Sequence, residues 1–350
     1  MIGRARKLLH ILQRMRAKEP TFVSFNVSDR CNAACPMCAV WREPGPDLPL
    51  ADLERIFADL RQFGLLVVEL SGGEPFMRPD IFEIFALLDR LGFLYTTTTN
   101  GTVVTTEILE GVRQAKGLLQ LAISLDSLDP AVYARLRGRD LLPQVLGNID
   151  KIAAARLPQP VKLNQTVSRH NFRETPALLE YARERGFYLS VFPVNTGHGF
   201  AHRAADPLFD ATTAEREEIA TLFRELARLR REGQPLWEYS GFYELAADYV
   251  LGKGTGMCDA GELYLDLRVD GRLAVCLDQP VFADLRRESM AEAWRRIAGQ
   301  RDRIRACAGE TPCCYTCTAN LSLTASHLPA FLQETARVRW RRYRQTTSHE

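Results

Sequence analysis

Cys31, Cys35 and Cys38 stand in the string CNAACPMC, spaced C-x3-C-x2-C, and the pattern stops at three. Thiolates are soft ligands that suit zinc and iron–sulfur clusters. A closed zinc site or a fully ligated cluster wants four protein ligands. Three thiolates holding three irons of a [4Fe–4S] cube leave the fourth iron free to bind a substrate or cofactor. An open iron is useful where the cluster must pass an electron to something bound directly to it. Pro36 and the small residues Ala33 and Ala34 let such a loop wrap tightly. A zinc site with a distant fourth ligand and a chance set of core cysteines compete for the same spacing.

Other chemistry-bearing strings follow. SGGEP (71–75) puts Gly72 and Gly73, which allow close backbone approach, before Glu74 and Pro75. Its bland reading is a turn entering a helix. TTNGT (98–102) carries Thr99 and Asn100, and SLDS (124–127) carries Ser124 and Asp126. A second cysteine set comprises Cys258, Cys276, Cys307, Cys313, Cys314 and Cys317. Cys258 and Cys276 bracket a hairpin-like segment, and Cys314-x2-Cys317 can grip one metal, so a closed four-ligand site is expected, zinc or iron–sulfur.

The elements that must position these residues alternate. Strands are expected at 22–27, 65–70, 93–99, 118–124, 161–167 and 188–194. Helices are expected at 50–63, 80–91, 105–114, 130–137, 141–156 and 173–186. Short apolar strands separated by helices imply parallel βαβ units with right-handed crossovers. Each polar string lies at the carboxyl end of a strand, where such folds gather functional groups. Beyond 195 the pattern changes to long helices at 211–232 and 242–251, a GKGTG hinge, and two short strands within 262–277 around Asp270-Gly271. The division expected is an N-terminal amphipathic helix (1–20), a barrel-like α/β unit (21–195), a helical connector (196–256), a small cysteine-bearing α+β unit (257–325) and a C-terminal helix (326–350).

The chain has 350 residues, is 46% hydrophobic and carries a net charge of +2. That composition is ordinary for a globular protein and gives no electrostatic case for nucleic acid. RVRWRRYR (337–344) is the best basic–aromatic stretch and reads as a solvated helix end. No apolar run approaches the ~20 residues of a membrane span, and the basic first 20 residues lack a signal-peptide core. A cytoplasmic location is expected, where nine cysteines serve as ligands or core residues rather than as disulfides. The helix near 4–17 packs on the main unit or, on the sharper reading, makes peripheral membrane contact.

These strings resemble the radical S-adenosylmethionine (radical SAM) enzymes, which carry C-x3-C-x2-C after the first strand and GGE after the second. The resemblance covers about 20–195. It implies a partial (β/α)6 barrel and a [4Fe–4S] cluster on Cys31, Cys35 and Cys38. The open iron chelates S-adenosylmethionine, whose reductive cleavage yields a 5′-deoxyadenosyl radical that abstracts a substrate hydrogen. Matched by position, Gly72, Gly73, Glu74 and Pro75 meet the methionyl ammonium. Thr99, Asn100 and Ser124 are cofactor-facing strand-end residues. Arg137 holds the carboxylate, with Arg139 competing. Met37 departs from the aromatic residue more often found there. The second set resembles a Twitch domain, the shortened form of the SPASM domain, which implies an auxiliary [4Fe–4S] cluster on Cys258, Cys276, Cys314 and Cys317, with Cys307 or Cys313 as substitutes for Cys314. A flavodoxin- or ferredoxin-type electron donor is implied as partner.

A substrate then lies between the barrel mouth and the second unit. Asp126, Asn164, Gln165, His198, His202, Tyr239, Tyr264, Asp266 and Asp278 are candidates to face it, with His198 and Asp278 as catalytic residues. Three functions are carried forward: oxidation or rearrangement of a small metabolite, sugar or lipid-linked intermediate, maturation of a ribosomally made peptide, and a non-catalytic iron–sulfur sensor. Only 30 residues precede Cys31, too few for the leader-binding domain expected of a peptide maturase.

Overall fold

The structure, a computed structural model, describes residues 2–42, 44–195, 210–254, 258–310 and 313–347. Helix α1 (Ile2–Arg16) leads into six strand–helix units. They are β1 (Phe22–Ser28) and α2 (Leu50–Phe63), β2 (Val67–Gly72) and α3 (Ile81–Leu91), β3 (Leu94–Thr99) and α4 (Thr106–Gln114), β4 (Leu118–Ser124) with α5 (Pro130–Arg137) and α6 (Leu142–Ala155), β5 (Val161–Val167) and α7 (Thr175–Glu184), and β6 (Tyr188–Pro193). Helices α8 (Thr213–Arg231) and α9 (Ser240–Val250) connect to β7 (Tyr264–Leu267), β8 (Arg272–Ala274) and β9 (Val281–Asp284). The chain ends in α10 (Met290–Trp294), α11 (Ile297–Glu310), a π-helical turn at Thr316–Asn320, α12 (Leu321–Ser326) and α13 (Leu328–Thr347).

All nine described strands form one sheet in the order β6-β5-β4-β3-β2-β1-β7-β8-β9. Strands β1 to β6 pair in parallel with their sequence neighbours. Alternation sorts their side chains. Val23, Phe25 and Val27 of β1 pack in the main core, while Ser24 and Asn26, pointing the other way, give a polar lumen. Outside, Phe57 of α2 sits edge-on between Phe25 and Phe93, with ring centres 5.4 and 5.7 Å apart. Each such fully buried ring contributes about 1.5–3 kcal/mol by burial.

Two differences from the sequence expectation are physical. Strand β2 starts at Val67, not 65, because Leu65 N–H closes the end of α2 on Leu60 O (3.0 Å) and Leu66 N–H reaches Thr21 O. The larger one concerns the cysteine-bearing unit. Its first strand β7 pairs in parallel with β1, Phe22 opposite Tyr264, so it continues the barrel sheet rather than standing beside it. A bare β1 edge would expose unpaired backbone groups, and β7 covers it. The antiparallel hairpin β7–β8 turns at Gly271, and β9 adds a third strand that sequence patterning missed. Helix α1 docks through His10, 3.0 Å from Gly64 O, and Arg14, which lies over the Phe63 ring and donates to Pro20 O, while Leu8 and Leu9 stay 56% exposed. Among the described residues, no helix is long and apolar enough to cross a membrane.

Candidate active site

The cysteine loop leaves β1 and is clamped by two neighbouring strand ends and the end of a helix. From β2, Gly73 N–H donates to Ser28 O (2.6 Å) and Glu74 N–H to Arg30 O (2.8 Å). This seam needs both glycines. Gly72 has φ +110°, and a Cβ on Gly73 would lie 2.1 Å from Arg30 O. From β3, Asn100 Nδ2 donates to Asn32 Oδ1 (2.7 Å) and toward Cys31 Sγ (3.7 Å), and Asn32 in turn donates to Thr102 Oγ1 (2.8 Å). From the end of α5, Arg137 O accepts from Ala34 N–H (3.0 Å), and Gly138, at φ +70°, leaves room for Ala34 O where a Cβ would lie 2.1 Å away. Within the loop, Cys38 N–H and Trp41 Nε1 both donate to Cys35 O.

The donors suit thiolates. Ala33 N–H points at Cys31 Sγ (3.4 Å) and Arg137 Nη1 at Cys35 Sγ (3.9 Å). Burial pushes all three thiols up, Cys38 to about 11, so each needs a metal or a donor to ionise. Among the described residues, no three His, Cys, Asp or Glu groups are disposed to hold one metal ion. Three thiols on one short loop, with donors aimed at two of them, fit a [4Fe–4S] cluster held through three of its irons.

Glu74 and Arg137 each have partners within the protein. Glu74, fully buried, accepts from Thr99 Oγ1 (2.6 Å), Phe76 N–H (3.2 Å) and Asn100 N–H (2.6 Å), so its carboxylate ties β2 to β3 rather than standing open for an ammonium group. Burial still pushes this carboxyl up to about 7. Pro75 opens the short helical turn beneath it. Arg137 is braced by Asp126, Nε to Oδ2 at 2.7 Å, and faces Cys35, while Arg139 is exposed. Asp126 is thus a brace and not a substrate contact. Ser124 ends β4 half-buried beside this group. Sequence reasoning missed Asn32, Thr102 and Gly138. The polar Asn32 inside the C-x3-C spacing was the available signal.

After burial, the thiols of Cys258, Cys276, Cys307, Cys313 and Cys317 oppose one another's ionisation by charge; Cys258 is pushed up to about 11 and Cys313 to about 12. Cys314 is coupled by charge to its neighbour Cys313. It is fully buried in the apolar core, and its N–H donates to Asn195 Oδ1 (2.7 Å). Cys313 is half-buried and coupled by charge to Cys258 and Cys307. Asp278 accepts from Tyr315 Oη (2.5 Å) close to Cys276, and Tyr264 bonds Cys317. Asp266 is buried against Arg268 (3.1 Å) and pushed up to about 6, chiefly by burial. Asn164 has a buried, unpartnered Oδ1. Gln165 reaches the backbone of Asp126 and Asn171, and Tyr239 stacks on His327. His198 and His202 lie outside the described residues.

A cavity of about 400 Å³ lies at the amino-terminal half of the barrel strands, lined by Phe22, Val67, Glu69 and Lys162 among others, and extends to Tyr264 and Cys317.

Comparison with known proteins agrees with this geometry. The sequence profile of the Radical SAM superfamily matches residues 25–196. The AdoMet-dependent heme synthase of Methanosarcina barkeri is 27% identical over 303 residues, covering 79% of this chain and 82% of the relative. The GTP 3′,8-cyclase of Marinobacter nauticus is 30% identical over 284 residues, covering 76% and 82%. Against several other GTP 3′,8-cyclases the chain spans about half the relative's length, 53–55%. In fold, the chain is similar to Streptococcus suis SuiB bound to its precursor peptide SuiA, with a TM-score of 0.64 and 17% identity over 83% of this chain and 67% of that one. With its three-cysteine loop after β1 and its double-glycine seam after β2, the chain belongs to the Radical SAM superfamily, whose members are enzymes that use a [4Fe–4S] cluster and S-adenosylmethionine.

Proposed function

We propose that this protein abstracts a hydrogen atom from a small polar metabolite held in the barrel lumen, and that an auxiliary [4Fe–4S] cluster assists the oxidation. When bound, the first cluster and S-adenosylmethionine supply the hydrogen-abstracting radical, and the auxiliary cluster supplies a place for an electron. The observation that carries this reading is the cavity itself. It measures about 400 Å³, reaches Glu69, Thr96, Gln120 and Lys162 of β2 to β5, and has Cys317 in its wall, which supports a compact occupant beside the second cysteine set. The names of the heme synthase and the GTP cyclase also denote low-molecular-weight chemistry.

Each residue group has a part. Cys31, Cys35 and Cys38 hold the first cluster. Gly72 and Gly73 bring the β2 backbone against that loop, and the strand ends at Thr99, Asn100 and Ser124 line the cofactor side. Cys258, Cys276, Cys313 and Cys317 hold the auxiliary cluster, with Cys307 adjacent. Asp278, two residues from Cys276 and bonded to Tyr315, accepts the substrate proton on oxidation. A flavodoxin- or ferredoxin-type protein supplies electrons in the cytoplasm.

The test is anaerobic formation of 5′-deoxyadenosine by the reconstituted protein under reduction. Stimulation by the dialysable fraction of a cell extract is expected. Stimulation by the retained, peptide-bearing fraction alone would transfer the reading to peptide maturation, and no stimulation by either would refute it.

A further inference from the structure

The lower half of the lumen is built for charge. Ser24, Glu69, Thr96 and Gln120 lie side by side in register across β1 to β4, and Lys162 follows on β5 opposite Ala122. Glu69, Thr96, Gln120 and Lys162 all line the cavity. Lys162 is only 8% exposed. Among the described residues, Glu69 and Lys162 have no hydrogen-bond or ion-pair partner. They act on each other only at longer range, and Lys162 Nζ lies 5.3 Å from the Trp237 ring centre. Gln120 Oε1 is buried and unpartnered as well.

Glu238, and after it Glu69, favours the Lys162 ammonium by charge, but neither makes an ion pair with it. Glu238 already accepts from Ser190 Oγ (2.5 Å), Tyr243 Oη (2.9 Å) and Val191 N–H (3.3 Å), and Asp266 is paired with Arg268. Burial pushes the Lys162 ammonium down and the Glu69 carboxyl up, each toward its neutral form. Two opposite charges held in a cavity without contact are costly for a folded chain. The cost is offset if an occupant supplies the missing partners.

We propose that this ring is the anchoring subsite for a small zwitterion, with its ammonium group on Glu69, its carboxylate on Lys162 and its carbon body against Trp237. Glu69 stands two residues before Ser71 on β2, so at ~3.3 Å per residue the anchored end lies roughly 7 Å below the end of that strand. This inference rests on the small-metabolite reading and adds the substrate class.

The experiment has two arms, both on the full chain loaded with its clusters. The first measures thermal stability of ligand-free Glu69→Gln, Lys162→Met and the double variant. Each single variant is expected to match or exceed the parent, with additive effects. A loss in each single variant that the double variant restores would show an internal ion pair and overturn the proposal. The second measures binding of γ-aminobutyrate, n-butylamine and butyrate through fluorescence quenching, with Trp237→Phe to assign the signal. The zwitterion is expected to bind tighter than either singly charged probe by about tenfold or more, since one charge-assisted contact is worth at least that. Glu69→Gln should erase the preference over butyrate, and Lys162→Met the preference over n-butylamine. No discrimination among the probes, or an unchanged profile in the variants, overturns the subsite. If the dialysable fraction still stimulates 5′-deoxyadenosine formation in that case, only this inference fails and the small-metabolite reading stands.

Discussion

Replacing Gly73 with alanine tests how the cysteine loop is held. The added Cβ would lie 2.1 Å from Arg30 O and 2.6 Å from Arg30 C. Both are backbone atoms, so no side chain can swing aside. Ordinary contact requires the two segments to part by roughly 1 Å or more, since packed interiors have no slack for a methyl group. That separation stretches the bonds from Gly73 N–H to Ser28 O and from Glu74 N–H to Arg30 O. Losing two buried backbone bonds costs about 2–5 kcal/mol locally. Arg30 precedes Cys31, so the first sulfur moves with it. A displacement of about 1 Å at a reacting centre costs on the order of 100-fold in rate. Gly73→Ala should therefore lower 5′-deoxyadenosine formation about 100-fold or more, while iron on the second cysteine set stays at the parent level. Gly147→Ala is the control, because nothing lies within 4 Å of its added Cβ. The assay is iron and sulfide content together with the anaerobic rate. A Gly73→Ala protein with parent iron content and parent rate would refute the claim that this seam positions the loop.

Three further tests probe neighbouring groups. Arg137→Gln removes a cation 3.9 Å from Cys35 Sγ and should lower the midpoint potential of the first cluster by about 50–100 mV, allowing for the partial offset by Asp126. Asp126→Asn should raise it, and EPR-monitored titration giving shifts of the same sign would contradict the assignment. Glu74 bears on pH: its folded carboxyl is raised from 4.5 to about 7, so its contribution is complete below the unfolded value and is lost as pH rises through the folded one. The cluster-free parent should thus lose up to roughly 3 kcal/mol from this group between about pH 4.5 and 7; Glu74→Gln should flatten that fall in urea unfolding, and an unchanged pH slope would count against it. In a Cys31, Cys35, Cys38→Ala background, Cys314→Ser should retain about four irons per chain and Cys313→Ser should lose them; the reverse result would return Cys314 to the ligand set.

What was legible in the sequence was local. Alternating apolar strands gave β1 to β6, and the positions of Cys31, Gly72, Asn100 and Ser124 at their ends followed from where each strand stops. What was not legible depended on pairing across long separations. Nothing near 262–277 shows that Tyr264 will sit opposite Phe22, because that register is decided by the unpaired edge of β1, some 240 residues earlier. The same limit explains Cys314: C-x2-C spacing suits a metal site, but only the packed core shows that the Cys314 side chain turns inward while its neighbour Cys313 is half-buried and coupled by charge to Cys258. Glu74 and Asp126 are harder cases, because a carboxylate at a strand end reads as open for a ligand until its donors are counted. Thr99, Phe76 and Asn100 donate to the first, and Arg137 with Thr166 N–H (2.8 Å) holds the second. By the same count, Glu69 and Lys162 attract no attention in the sequence and become the most exposed charge problem in the fold. Their strands bring opposite charges to one cavity and leave both unsatisfied there. That is a condition a binding site meets before its ligand arrives, and the proposed zwitterion subsite rests on it.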